Sequence, residues 1–183
     1  MKIIQNAESL QVPFMRFLFQ DRRTAFLWLL VRLYVGYEWL IAGWEKVHSP
    51  LWSGSGAGGA VKGFVMGALQ KTSGAHPDVQ SWYAWFLQHA VLPHALLFSH
   101  LVAYGELLVG IGLIVGLFTG VAAFFGAFMN VNYLLAGTVS LNPQLLILQI
   151  FLLWAWRVAG WFGLDGVVLG RFFKHNSGAT LFH

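Results

Sequence analysis

Four apolar segments dominate the chain, at about 24–46, 95–118, 120–138 and 143–164. Each is near the ~20 residues that cross a ~30 Å hydrocarbon core. Charges stand inside them: Arg32 and Glu38 in the first segment, Glu106 in the second and Arg157 in the fourth. A charge at that depth costs roughly 2.5–3.5 kcal/mol per residue. Such residues face the bundle interior and pair, or they serve a proton, ion or substrate route. The pattern predicts an all-α fold, an integral membrane four-helix bundle over 1–183 as a single domain. Its chemistry is confined to a polar interior and the mouths of that interior.

Composition agrees. The 183 residues are 57% hydrophobic and only 10% charged, against about 25% charged in soluble proteins. The formal net charge is +4, with the cations gathered at segment ends. That suits the lipid bilayer and its anionic head groups as partner, and not nucleic acid, which needs a basic stripe interleaved with aromatics. There is no cysteine, which excludes disulfides, thiolate metal sites and thiol catalysis. The first 23 residues are broken by charges and Pro13, so they do not form a cleavable signal peptide. Phe14, Phe17, Leu18 and Phe19 beside Arg16, Arg22 and Arg23 suit an amphipathic interfacial helix.

The connections fix neighbours. Thr119 and Gly120 alone join the second and third segments, and a short turn followed by Pro143 joins the third and fourth, so consecutive helices run antiparallel. The 47–93 connection opens with a Gly/Ser run and then carries two amphipathic stretches, 61–69 and 79–92, the second rich in Trp and Tyr. Both are predicted to lie as short helices on the extracytoplasmic surface at head-group level. Lys2, Arg16, Arg22, Arg23, Arg171 and Lys174 lie in the tails, which predicts both termini in the cytoplasm of a prokaryote, with the chain multi-pass in its plasma membrane. Gly112, Gly116 and Gly120 form overlapping GxxxG steps, read as close packing of the second and third helices, with homo-oligomer formation as the alternative.

Counting ~1.5 Å per residue from the segment ends puts Arg32, Glu106, Asn130 and Arg157 near one depth. They are expected to form one layer, with Glu106 ionised between two arginines. A shallower set, Glu38, His100, Asn132 and Gln149, opens outward towards Glu45, His48, His89 and His94, with Tyr34 on the Glu38 face. Carboxylate, imidazole and phenol groups in an aromatic-walled pocket suit a quinone, whose carbonyls need hydrogen bonds and protons. Glu38, His100 and Glu106 are the candidate catalytic residues. Arg32, Tyr34, Asn130, Asn132 and Arg157 are the candidate substrate- or quinone-binding set. A structural clamp is the competing role for Arg32, Glu106 and Arg157. No metal or haem motif is present.

RLYVGYEWLIAGWEK (32–46), YGELLVGIGLIVGLFT (104–119), GAFMNVNYLLAGTVSLNP (126–143) and WRVAGWFGLD (156–165) resemble the DoxX/DoxD membrane-protein family. The resemblance spans roughly 24–170 and implies a four-helix membrane fold. It also implies a subunit of a quinone-linked oxidoreductase similar to DoxD of thiosulfate:quinone oxidoreductase, which oxidises thiosulfate to tetrathionate. The expected partners are then quinone as electron acceptor and a second redox subunit. The alternatives are a non-catalytic anchor or scaffold for a redox enzyme, and a small-solute or proton transporter.

Overall fold

The structure, a computed structural model, describes residues 13–168. The tail residues Lys2, Arg171 and Lys174 lie outside the described residues. A proline opens α1 (Pro13–Gln20), where its missing N–H costs nothing. This helix exposes Phe14 and Phe17 and buries Phe19. Asp21 accepts a hydrogen bond from the Arg23 backbone N–H at 2.9 Å, starting a 3-10 turn that leads into α2 (Ala25–His48). Thr24 Oγ1 and Trp28 Nε1 both donate to the Leu18 carbonyl, at 2.9 and 2.7 Å, tying α1 to the foot of α2. There follow α3 (Gly59–Leu69), α4 (Ser81–Phe86) with a π-helical turn at Leu87–Val91, α5 (Ala95–Val115), α6 (Thr119–Leu135), α7 (Asn142–Trp154) and the short α8 (Trp156–Ala159). Among the described residues all regular structure is helical.

Two helices, α2 with its preceding turn and α5, are long and apolar enough to cross a membrane. Helices α6 and α7 are apolar but shorter, at 17 and 13 residues. The single helix predicted over 143–164 is broken at Ala155. The break turns 160–166 under the α5–α6 connection, where Gly163 packs against Gly116.

The tightest joint is between α2 and α5, which run antiparallel. A Cβ on Gly43 would lie 2.3 Å from the Leu107 nitrogen, and one on Gly110 would lie 2.4 Å from the Leu40 nitrogen. Backbone meets backbone there, because a methyl group at either position would fill the gap. The register reads Gly43 against Glu106 and Leu107, Leu40 against Gly110, Gly36 against Leu113, and Arg32 against Gly116. The predicted GxxxG glycines divide their work differently. Gly112 faces Ala122 of α6, but Gly116 faces the Arg32 guanidinium and Gly163, and Gly120 faces Trp156. All three contacts lie within the chain, so these glycines serve internal packing.

Two cores result. One joins α1, α2 and α5 to α8, around Trp28, Val35, Trp39, Leu113, Leu152 and Val158. The other joins α3, α4 and the π turn to the adjoining ends of α5 and α6, around Val65, Val79, Tyr83, Leu87 and Ala136. The 47–93 connection forms the two expected helical stretches, and these pack against each other and the ends of α5 and α6 as a cap. Its apolar faces meet one another, which removes more area from water than spreading would. Polar ties complete it: Ser99 Oγ donates to the Trp52 carbonyl at 2.7 Å, Lys71 Nζ to the Gly137 carbonyl at 2.6 Å, and Tyr83 Oη to the Asn132 carbonyl at 3.0 Å. The opposite end of the molecule, which carries α1 and α8, is called the tail end below.

Gly43→Ala is expected to lower stability by at least ~1–3 kcal/mol, as overpacking does. Gly63→Ala, with nothing within 4 Å of its Cβ, is expected to be neutral or to gain up to ~1 kcal/mol of helix propensity. Thermal unfolding of both variants in one detergent checks the contrast. Burial pushes the Tyr83 phenol up from 10.0 to about 12. The folded state thus favours the neutral phenol. Its contribution is complete below pH 10.0 and is lost as pH rises through about 12. Alkaline unfolding of Tyr83→Phe should lack that part of the loss.

Candidate functional site

Glu106 sits on α5 where Gly43 lets α2 come closest, and its side chain is 2% exposed. Lys46, one turn further along α2, donates from Nζ to Glu106 Oε2 at 2.6 Å. Tyr133 of α6 donates from Oη to Glu106 Oε1 at 2.5 Å. Both carboxylate oxygens are thereby satisfied by charge-assisted hydrogen bonds, the strong kind. The Lys46 side chain is 23% exposed, so the buried carboxylate has a polar link towards the cap. Aromatic rings wall the group. Trp52 lies 5.3 Å from Lys46 Nζ, Trp39 stacks 6.4 Å from the Tyr133 ring, and Phe64 meets that ring edge-on at 6.1 Å. Behind Trp39, its indole N–H points at the Gln149 amide. With the oxygen of Gln149 placed to accept, that bond is 2.7 Å and the amide nitrogen donates to the Leu145 carbonyl at 3.1 Å. The same amide meets Asn130, which like Gln149 is fully buried. Carboxylate, amine and phenol in an apolar aromatic shell can hold a proton, exchange it, and hydrogen-bond a carbonyl.

A second charged group lies at the tail end. The Arg32 side chain is 1% exposed, and its Nη2 donates to the Phe162 carbonyl at 3.2 Å. Its guanidinium lies over Gly116 and Gly163, where any side chain would collide with it. Asp165 accepts from the Phe118 and Thr119 backbone N–H groups at 2.7 and 2.8 Å. It thus caps α6 from the far end of the described chain and holds Phe118 in the left-handed region at φ 52. Its charge offsets only part of the desolvation of the buried Arg32 cation.

The DoxX family profile matches residues 27–138, well over half of the 183. The chain belongs to the DoxX family. No curated protein and no solved structure matches it. DoxX membership and the two long apolar helices make this a membrane protein. The DoxX match contains Lys46, Glu106 and Tyr133, and stops short of Arg157 and Asp165.

Within this DoxX chain the predicted layer of Arg32, Glu106, Asn130 and Arg157 is not formed. Arg32 is level with Gly116, ten residues from Glu106 along α5, or about 15 Å. The depth count assumed flush helices, whereas α2 and α5 are staggered at both ends. Arg157 is exposed on α8, 5.2 Å from the Trp156 ring centre. Glu106 is paired with Lys46 and not with arginines. Glu38 is half-buried with no hydrogen bond among the described residues, and Tyr34 is 44% exposed. His100 is half-buried with its ring 6.1 Å from Tyr104. Glu38 and His100 do not meet: Leu40 faces Gly110, which leaves His100 about 15 Å or more along α5. Asn132 accepts from Tyr83 at 3.1 Å and donates to the Phe128 carbonyl, so it serves the cap joint. His48, His89 and His94 each place Nδ1 against the carbonyl four residues earlier.

The structure adds Lys46, Tyr133 and Asp165 to the candidate residues. The available signal was spacing: Glu106 lay as deep as a lysine stem could reach once the two helices overlapped. Removing one partner of a buried pair costs ~3–5 kcal/mol. Lys46→Met should destabilise by that order, and Lys46→Met with Glu106→Leu should recover most of it. Asp165→Ala should cost ~1–3 kcal/mol through two lost charged hydrogen bonds. Chemical unfolding of the set in detergent measures each value.

Proposed function

We propose that this protein is the membrane subunit of a quinone-linked oxidoreductase, similar in role to DoxD, in which Lys46, Glu106 and Tyr133 bind the quinone and manage its protons. The observation that carries the reading is the buried carboxylate held between an ammonium and a phenol inside a wall of Trp39, Trp52 and Phe64. A quinone ring would take these aromatic neighbours, and its carbonyl oxygens would accept from Tyr133 Oη and Lys46 Nζ, which now donate to Glu106. The proposed acceptor half-reaction adds two electrons and two protons to the quinone. Tyr133 would give a proton to the quinone, and Lys46, reprotonated from water at the cap surface, would return one to it through Glu106, once for each of the two protons. In the donor half-reaction two thiosulfate ions lose two electrons and join through a new S–S bond as tetrathionate. Lys46 and the exposed Lys62 provide positive charge for a dianion arriving at the cap. Arg32 clips the tail end, and Arg157 stands outside the quinone site.

In this reading α2, α5, α6 and α7 cross the bilayer as four helices, with the tail end in the cytoplasm. Exposed Arg16, Arg22, Arg23 and Arg157 at that end support the orientation. A second redox subunit docks on the cap or on the tail end.

One observation favours a scaffold role instead. Both oxygens of Glu106 are satisfied within the chain, as a purely structural clamp requires. The deciding assay is thiosulfate-dependent quinone reduction by the protein in lipid, with melting curves on the same samples. Tyr133→Phe keeps the aromatic packing, so it should fold and lose at least ~10²-fold in rate, the typical worth of a general acid. Glu38→Gln should stay close to wild type. Inactivity of the folded wild type, alone and with its co-purifying partner, would favour the scaffold.

A further inference from the structure

A separate cleft at the tail end has no part in the chemistry above. It encloses about 450 Å³ between α1 and the α7–α8 break, lined by Phe19, Gln20, Trp154, Trp156, Arg157 and Val158. Phe19 and Val158 stand at its inner side, and most of its lining surface is polar. Phe19 is buried, and its ring packs 5.2 Å from Trp28, 6.0 Å from Phe151 and 5.6 Å from Trp154. Its outer side is aromatic and open, with Trp154 60% and Trp156 39% exposed. Arg157 stands exposed at the same place, its guanidinium beside Trp156.

The surroundings are cationic. Arg16, Arg22 and Arg23 are exposed on or just after α1, and Arg22 stacks 4.0 Å over Trp161. The nearby carboxylates are already engaged, Asp21 by the Arg23 backbone and Asp165 by the start of α6. Exposed tryptophans mark head-group depth. A guanidinium with an adjacent amide there meets a phosphate oxygen pair well. Phe19 and Val158 beside it suit the upper part of an acyl chain.

We propose that this cleft binds the head group of an anionic phospholipid, with its phosphate on Arg157 and Gln20 and its glycerol and first methylenes against Phe19, Trp154 and Trp156. The surplus of positive charge selects an anionic head group over a zwitterionic one, whose own cation the arginines would repel. The site fastens the break between α7 and α8 to the leaflet at the tail end.

The test is native mass spectrometry of the full-length protein released from nanodiscs containing phosphatidylcholine and phosphatidylglycerol in equal parts. The wild type is expected to retain phosphatidylglycerol preferentially. Arg157→Gln should lower that preference roughly fivefold, the effect of about one arginine at an anionic surface. Arg157→Lys should keep most of the preference, and Lys62→Gln, at the cap, should keep all of it. Equal retention of the two lipids by the wild type would overturn the proposal. So would an Arg157→Gln variant that keeps the preference, or loss of bound lipid to inorganic phosphate at low concentration, which would mark a site for a free anion.

Discussion

The backbone of α2 touches that of α5 because positions 36, 43 and 110 carry no side chain. The rest of the molecule depends on this contact. It fixes the register of the two longest helices and sets Glu106 opposite Gly43, within reach of Lys46. A bulkier pair at this crossing would push the helices apart by more than the ~0.5–1 Å that already forfeits much of a packing contact. The carboxylate and the ammonium would then be buried without each other. Helix packing by small residues and electrostatic pairing are thus one constraint: the first creates the short distance that the second needs.

The same logic divides the charges between the two ends of the protein. In a low-dielectric interior a charge must be neutralised within a few ångströms, since desolvation costs several kcal/mol per ion. At the cap end, Glu106 is met by Lys46 and Tyr133. At the tail end, Arg32 donates to the Phe162 carbonyl, and Asp165 nearby caps α6. Neither group needs the other, so each end can do separate work. The cap end has a buried carboxylate held by an ammonium and a phenol behind aromatic rings. The tail end has a charged clip, a ring of exposed arginines and an aromatic cleft.

Much of the helical plan was legible in the sequence. Apolar length and the short connections at 119–120 and 139–142 show the helices and their order, and Pro143 falls at the start of α7. Stagger was not legible. Periodicity says which residues share a face but not how far one helix slides along another, and Arg32 and Glu106 part by about 15 Å for that reason. The break at Ala155 was hidden because its cause is tertiary: residues 160–166 fold beneath Gly116. The 47–93 stretch read as two amphipathic helices, but amphipathicity leaves the covering partner unnamed, and here each covers the other. For the site, Glu106 stood out as a costly charge. Lys46 stands at a helix end and Tyr133 is one aromatic among many, and only the overlap of α2, α5 and α6 shows that both reach Glu106.

In the proposed function Glu106 is a carboxylate whose protonation follows the redox state of a quinone beside it. Infrared difference spectroscopy of the protein in lipid, as a bound quinone is reduced and reoxidised, tests this directly. The expected result is a carboxyl band that appears and vanishes as the quinone is reduced and reoxidised and is missing in Glu106→Gln. A difference spectrum that is the same in wild type and Glu106→Gln would contradict it, leaving the Lys46–Glu106–Tyr133 group as a clamp between helices.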